Sequence, residues 1–246
     1  MSDKIISAHK LVEYAFASAQ RRVTIIENAL QPPTFIMDTK YPDIERATGH
    51  FLVSKCADAS RLDNLDQTYQ SREAHTDHHE QRLLNAMDAI SHVKTMRWQL
   101  PEGSQVQFGQ GLPIDMEVGG MKVRLRAPVA LWRHQAGYRD PFVGLGKSYF
   151  GKSAPLRSGN VVERGVLFAT FLHWFAETHL GHIGIPDPTM CFVADVFDER
   201  IHFAAKRFIQ RRKHLEALAQ EMADRWDPII SRLQTKPSTR SSSTMK

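Results

Sequence analysis

The chain has 246 residues, of which 42% are hydrophobic and 24% charged, with a net charge of +5. That balance supplies a full core for one large domain or two small ones. The first ten residues lack the apolar run of a signal peptide, and the most apolar stretch, residues 166–175, is too short for a membrane span and contains His173.

Helical spacing appears first over residues 8–30, with Ser7 as N-cap, Leu11, Tyr14, Ala15, Ile26 and Leu30 on the buried side, and Pro32 and Pro33 as the stop. A second amphipathic segment covers residues 43–55, where Ile44, Ala47, Phe51 and Leu52 recur. Residues 57–75 are polar and poorly periodic and read as an exposed connection with local helical potential. A third helix, over residues 77–94, starts behind Thr76 and turns Leu83, Leu84, Met87 and Ile90 inward.

Strand character begins after residue 100, at residues 105–108, 121–126, 129–134 and 142–150, separated by Gly119–Gly120, Pro128 and a polar turn at 137–141. A helix follows, opened by Asn160 with Glu163 at the capping-box spacing, and its body over 165–175 is apolar on nearly every face. Residues 190–197 and 200–204 read as a hairpin turning at Asp198 and Glu199. A last helix over 206–226 places Phe208, Leu215, Leu218, Met222 and Trp226 on one stripe, with Pro228 ending it. Past Leu233 the chain is too polar to order itself.

This order predicts an α/β fold: a mixed central sheet with packed helices. Residues 1–100 form a helical N-terminal region, 101–233 a core continuous with it, and 234–246 a disordered tail. Cys56 and Cys191 form no motif and read as buried thiols in a reducing, cytoplasmic setting.

Positive charge is concentrated in the middle. Residues 121–164 hold nine Lys and Arg against two Asp and Glu, whereas residues 1–120 hold twelve against sixteen. Lys122, Arg124 and Arg126 alternate with Met121, Val123 and Leu125, so a strand here stands three cations on one face. Such a row suits a phosphate backbone or an acidic partner; alternatively Asp115 and Glu117 on a neighbouring strand balance it. A second basic group spans residues 206–214, with Arg207, Arg211 and His214 along one helical face.

Residues 146–153, GKSYFGKS, satisfy the phosphate-loop pattern, in which Lys152 reaches phosphate and Ser153 a magnesium ion, with Asp195 as a second magnesium ligand. The expected helix at Lys152 is opposed by Pro155 and Gly159. In the segment HTDHHE, His75 and His79 share a helical face, but no third metal ligand is fixed by the sequence. Serine, histidine and acid residues form no nucleophilic constellation.

The strands over 121–134 and 142–150, the apolar helix and the hairpin at 190–204 together resemble the PD-(D/E)XK nuclease-like superfamily, over roughly residues 77–226. The resemblance implies a mixed sheet flanked by helices, in which paired acids and a lysine hold a divalent metal against the scissile phosphate. Lys147 matches that lysine, but Leu145 stands where the first acid belongs, and residues 126–132 carry no carboxylate. Asp115 and Glu117 come early, with Glu117 able to approach Lys147 across the sheet.

These readings converge on a non-catalytic accessory protein without metal or cofactor. It binds DNA, RNA or a nucleic-acid-associated protein, not a membrane, through Lys122, Arg124, Arg126, Lys147, Lys152, Arg207 and Arg211. The alternatives are a metal-dependent nuclease with an atypical site, a phosphate-loop nucleotide binder and a protein-interaction subunit.

Overall fold

A computed structural model describes residues 3–31, 41–109, 114–126, 129–151 and 158–235. A short strand, β1 (Ile5–Ser7), leads into α1 (Ala8–Ala15) and, after a break, α2 (Ala19–Leu30). The single helix expected over residues 8–30 divides because Ser18 adopts extended angles and its hydroxyl accepts a hydrogen bond from the Arg21 N–H, 3.3 Å away. Arg21 then pairs back to Glu13 at 2.6 Å, bracing the break. Ser7 holds the N-cap position without a side-chain bond.

Three helices follow: α3 (Tyr41–Val53), α4 (Ser60–Gln70) and α5 (Asp77–Thr95). Thr76 caps α5 by accepting from the His79 N–H at 3.1 Å. The polar stretch expected as a connection contains all of α4, whose fully buried anchors are only Leu62 and Tyr69. On α5, Leu83 and Ile90 are buried as expected, whereas Leu84 is 49% exposed.

The next elements are β2 (Gln105–Phe108), β3 (Ile114–Val118), β4 (Met121–Leu125), β5 (Val129–Arg133) and β6 (Phe142–Tyr149). Helix α6 (Ser158–Leu180) then leads to β7 (Ile185–Pro186), a 3₁₀ turn at Pro188–Met190, β8 (Phe192–Asp195), β9 (Arg200–Phe203) and α7 (Ile209–Thr235). Two sheets result. The smaller has the order β1-β4-β3, and the larger β2-β5-β6-β8-β9 with β7 beside the start of β6. Strand β5 is antiparallel to both β2 and β6, β6 and β8 are parallel, and β8 and β9 form the expected hairpin. The fold is a mixed α/β one.

Alternation along β8 sends Val193 toward one core and Phe192 and Ala194 toward another. The first core gathers α1, α2, α6, α7 and the small sheet, with Leu11, Phe168, Phe171 and Trp226 among its members. The helix expected to be covered all round is α6, which lies between β6, β8 and β9 on one side and α1 and α7 on the other. Helices α3, α4 and α5 close over a separate cluster that includes Val196.

Two local signals mislead. Asn160 sits inside α6, and Glu163 pairs with Arg211 instead of closing a capping box. Pro228 does not end α7: it and Asp224 are exposed, so the carbonyl that loses its N–H partner faces water, while Trp226 and Ile229 stay buried opposite. Gln234 and Thr235 are consequently helical, and the rest of the tail lies outside the described residues.

The β3–β4 turn is seated on α7 at Gly119. Its φ is +50°, and a Cβ there would overlap the Glu216 carbonyl. Gly137, with φ +86°, has nothing within 4 Å of such a Cβ. Gly119→Ala should therefore destabilise by about 3 kcal/mol through strain plus overlap, and Gly137→Ala by only ~1 kcal/mol through strain. Urea titrations of the two variants check the difference.

Candidate functional site

Strand β4 presents its charges as its alternation predicts: Met121, Val123 and Leu125 are buried, and Lys122 and Arg124 are half-buried on the other face. Their surroundings neutralise them. The Arg124 guanidinium makes a two-pronged contact with Asp115 of β3, at 2.8 and 3.0 Å. That bond holds the Asp115 carboxyl below its ordinary range. Lys122 reaches Asp3 at 3.1 Å and stands opposite Glu117 in the β3–β4 ladder. Screened by solvent, such pairs add little to stability, yet they relieve the repulsion within the row. Arg126, just past the strand, is exposed.

Lys147 occupies a different setting. Among the described residues, the β5–β6 ladder ends where Val129 faces Gly146, and the next residue of β6 meets no strand on that side. The Lys147 ammonium fills the gap, donating to the Arg126 carbonyl at 2.9 Å and to the Glu45 carboxylate of α3. Both side chains are largely enclosed, at 10% and 14% exposure. Burial pushes the Glu45 carboxyl above its usual range, against the pull of Lys147 and Arg126. Beside the pair, Glu45, Gly49, Val129, Gly146 and Ser148 line a shallow crevice between α3 and the sheet. His9 of α1 lies within the field of Lys10, Lys147 and Arg126; burial first, then these cations, bring its pKa down to about 4 against the opposing pull of Glu13.

This is one carboxylate facing one ammonium, not a set of acids around an ion. Glu117 does not approach Lys147, because β3 belongs to the small sheet and β6 to the large one. Asp195 is bound by Arg164 at 2.7 Å, both side chains being buried. His79 Nδ1 accepts the His75 N–H at 3.3 Å, while His78 is exposed. Among the described residues, no three His, Cys, Asp or Glu gather to hold a metal ion. Nor do residues 146–149 make a phosphate loop: they are the second half of β6, and α6 opens at Ser158. Lys152 and Ser153 lie outside the described residues.

The second basic group divides into anchors and free charges. Arg211 forks onto Glu163 at 2.9 and 3.0 Å. Arg212 binds Glu177 and the His173 Nδ1 while stacking on Phe208 at 4.0 Å. Lys206, Arg207 and Lys213 are exposed and have no carboxylate partner among the described residues. Of the residues singled out from sequence, Lys122 and Arg124 therefore cluster in one neutralised patch, Lys147 is enclosed, Arg211 is an anchor, and Arg126 and Arg207 stay open. Sequence reasoning missed Glu45, whose neighbour Ile44 marks a buried helix face but whose partner lies 102 positions away.

No family model matches the chain, and no curated protein is similar enough to count as a relative.

Lys147→Met alone should cost about 3–5 kcal/mol, because it strands the Glu45 carboxylate, whereas adding Glu45→Leu should recover part of that loss. A double-mutant cycle in urea reads the coupling. The His9 shift carries a sign as well. Below its ordinary value of 6.5 the unfolded chain takes up a proton that the native protein refuses down to about 4. His9 thus contributes stability that is complete above pH 6.5 and lost progressively as pH falls toward 4. His9→Gln should flatten the decline by at most ~1.4 kcal/mol per pH unit, seen in unfolding midpoints across that window.

Proposed function

We propose that the protein is a non-catalytic accessory factor that binds nucleic acid through a positive surface centred on the start of α7. The observation that carries this reading is the contrast between its two basic groups. The β4 row is matched by Asp3 and Asp115, whereas Lys206, Arg207 and Lys213 project without carboxylate partners among the described residues. The first turn of α7 has no acidic residue, so the positive end of the helix dipole adds to the same field. Phosphate is the ligand chemistry such a surface favours. Exposed Arg126 is a second contact in this reading.

The element order supports reading the chain as a degenerate relative of the PD-(D/E)XK nuclease-like superfamily. Antiparallel β5 and β6 are followed by α6 and the parallel strand β8. In that reading Lys147 has exchanged metal-binding acids for Glu45 and serves the structure instead of cleavage.

Fluorescence anisotropy with short single- and double-stranded DNA and RNA, from low to moderate salt with magnesium present, tests the proposal. Affinity should fall with salt by a slope of about 0.9 per phosphate contact. Replacing Lys206, Arg207 and Lys213 with Ala should weaken binding by about tenfold or more and lower that slope. Replacing Lys122 and Arg124 should matter less, since both are already engaged. Absence of binding at low salt refutes the nucleic-acid role, and magnesium-dependent cleavage by the wild type refutes the non-catalytic one.

A further inference from the structure

We infer that the end of the main sheet where β6 begins is a self-association surface, a two-fold contact between two copies of this chain. Tyr138 and Ile183 are 54% and 53% exposed there, and Ile185 is 38% exposed. Tyr138 and Ile185 both adjoin Phe142, and Ile183 precedes Ile185 by two residues. The Tyr138 ring meets the edge of Phe142 at 4.8 Å, and Phe142 pairs with Ile185 in the β6–β7 ladder. The Ile185 N–H donates to the Pro141 carbonyl at 2.8 Å. Gly184 lies so close to that carbonyl that a Cβ would overlap it, which keeps Ile183 and Ile185 against the strand.

The patch is held firmly. Arg133 lies over Phe142 at 5.9 Å and pairs with Asp187 at 3.4 Å. The Tyr138 turn is closed by its own N–H donating to the Gln135 carbonyl at 3.2 Å. One tyrosine beside two isoleucines supplies exposed apolar area, and tyrosine is enriched at the centres of interfaces.

Charge identifies the occupant. Immediately beside Tyr138 stand Arg139 and Asp140, both exposed and without an ion-pair partner among the described residues. The pair carries no net charge, so neither a purely acidic nor a purely basic ligand gains from it as a whole. A second copy related by a two-fold axis satisfies both: Arg139 of each copy meets Asp140 of the other, and the apolar patches face one another across the axis. The same surface then closes on itself and leaves no edge for further growth.

Sedimentation velocity of the full chain over a range of concentrations tests this. The expected result is a concentration-dependent monomer–dimer equilibrium. Ile183→Glu should weaken it by about tenfold or more while circular dichroism and the melting temperature remain those of the wild type. Arg139→Asp and Asp140→Arg should each weaken it, and the two combined should restore it, because the swap recreates the reciprocal pairs. A chain that stays monomeric throughout overturns the inference. So does a dimer that Ile183→Glu leaves unchanged, or one in which the charge swap is no better than the single changes.

Discussion

The corner between the two sheets constrains the whole structure, and the Lys147 ammonium stands at that corner. The chain leaves the small sheet at Leu125 and enters the large one at Val129. Among the described residues, β6 has no strand neighbour on the β5 side from Lys147 onward. A polar backbone edge opened inside a packed structure must find partners. Lys147 joins three bodies there: its own strand, the Arg126 carbonyl at the end of the small sheet, and Glu45 on α3. The helical layer of α3, α4 and α5 is thus tied to the point at which the sheets part. Replacing such a pair with apolar residues can preserve stability, but an ion pair accepts fewer alternative registers.

Elements that bury a stripe of their own were legible in the sequence. The helices α3, α5 and α6 and the β8–β9 hairpin carry their periodicity in uninterrupted local patterns. What escaped reading depends on distant partners. β1 is three residues long and exists as a strand because it pairs with β4, over a hundred positions further on. β3 is the partner that makes β4 a hairpin; its range was not among the expected strands, although Asp115 and Glu117 were set on a strand beside β4 in one of the two readings of its charge row. Helix α4 rests on two buried residues, too few to raise a periodic signal above its polar background. Pro228 and Asn160 are strong local signals overridden by tertiary packing on either side of them.

Charge was harder to read than hydrophobicity for a related reason. Alternation correctly placed Lys122 and Arg124 on one face of β4, since that follows from strand geometry alone. Whether the face is free depends on register with β3 and on Asp3, neither of which a local pattern contains. The Lys147 match to a nuclease lysine has the same weakness. Residue type and spacing bring a lysine to the end of a strand, but its function follows from the carboxylates around it, and Glu45 comes from another layer.

At the start of α7 the same consideration separates neighbouring residues in the chain. Arg211 and Arg212 diverge by about 100° around the helix, and each finds a different glutamate of α6. Arg212 can only donate, so the His173 Nδ1 that receives its bond must be unprotonated, and burial favours that neutral form. The two anchors fix the angle at which α7 leaves the core, and with it the direction in which the adjacent Lys213 points. Five basic side chains within eight residues thus divide into two sets. Arg211 and Arg212, facing α6, are consumed in holding the helix through Glu163 and Glu177, whereas Lys206, Arg207 and Lys213 stay exposed without a carboxylate partner among the described residues.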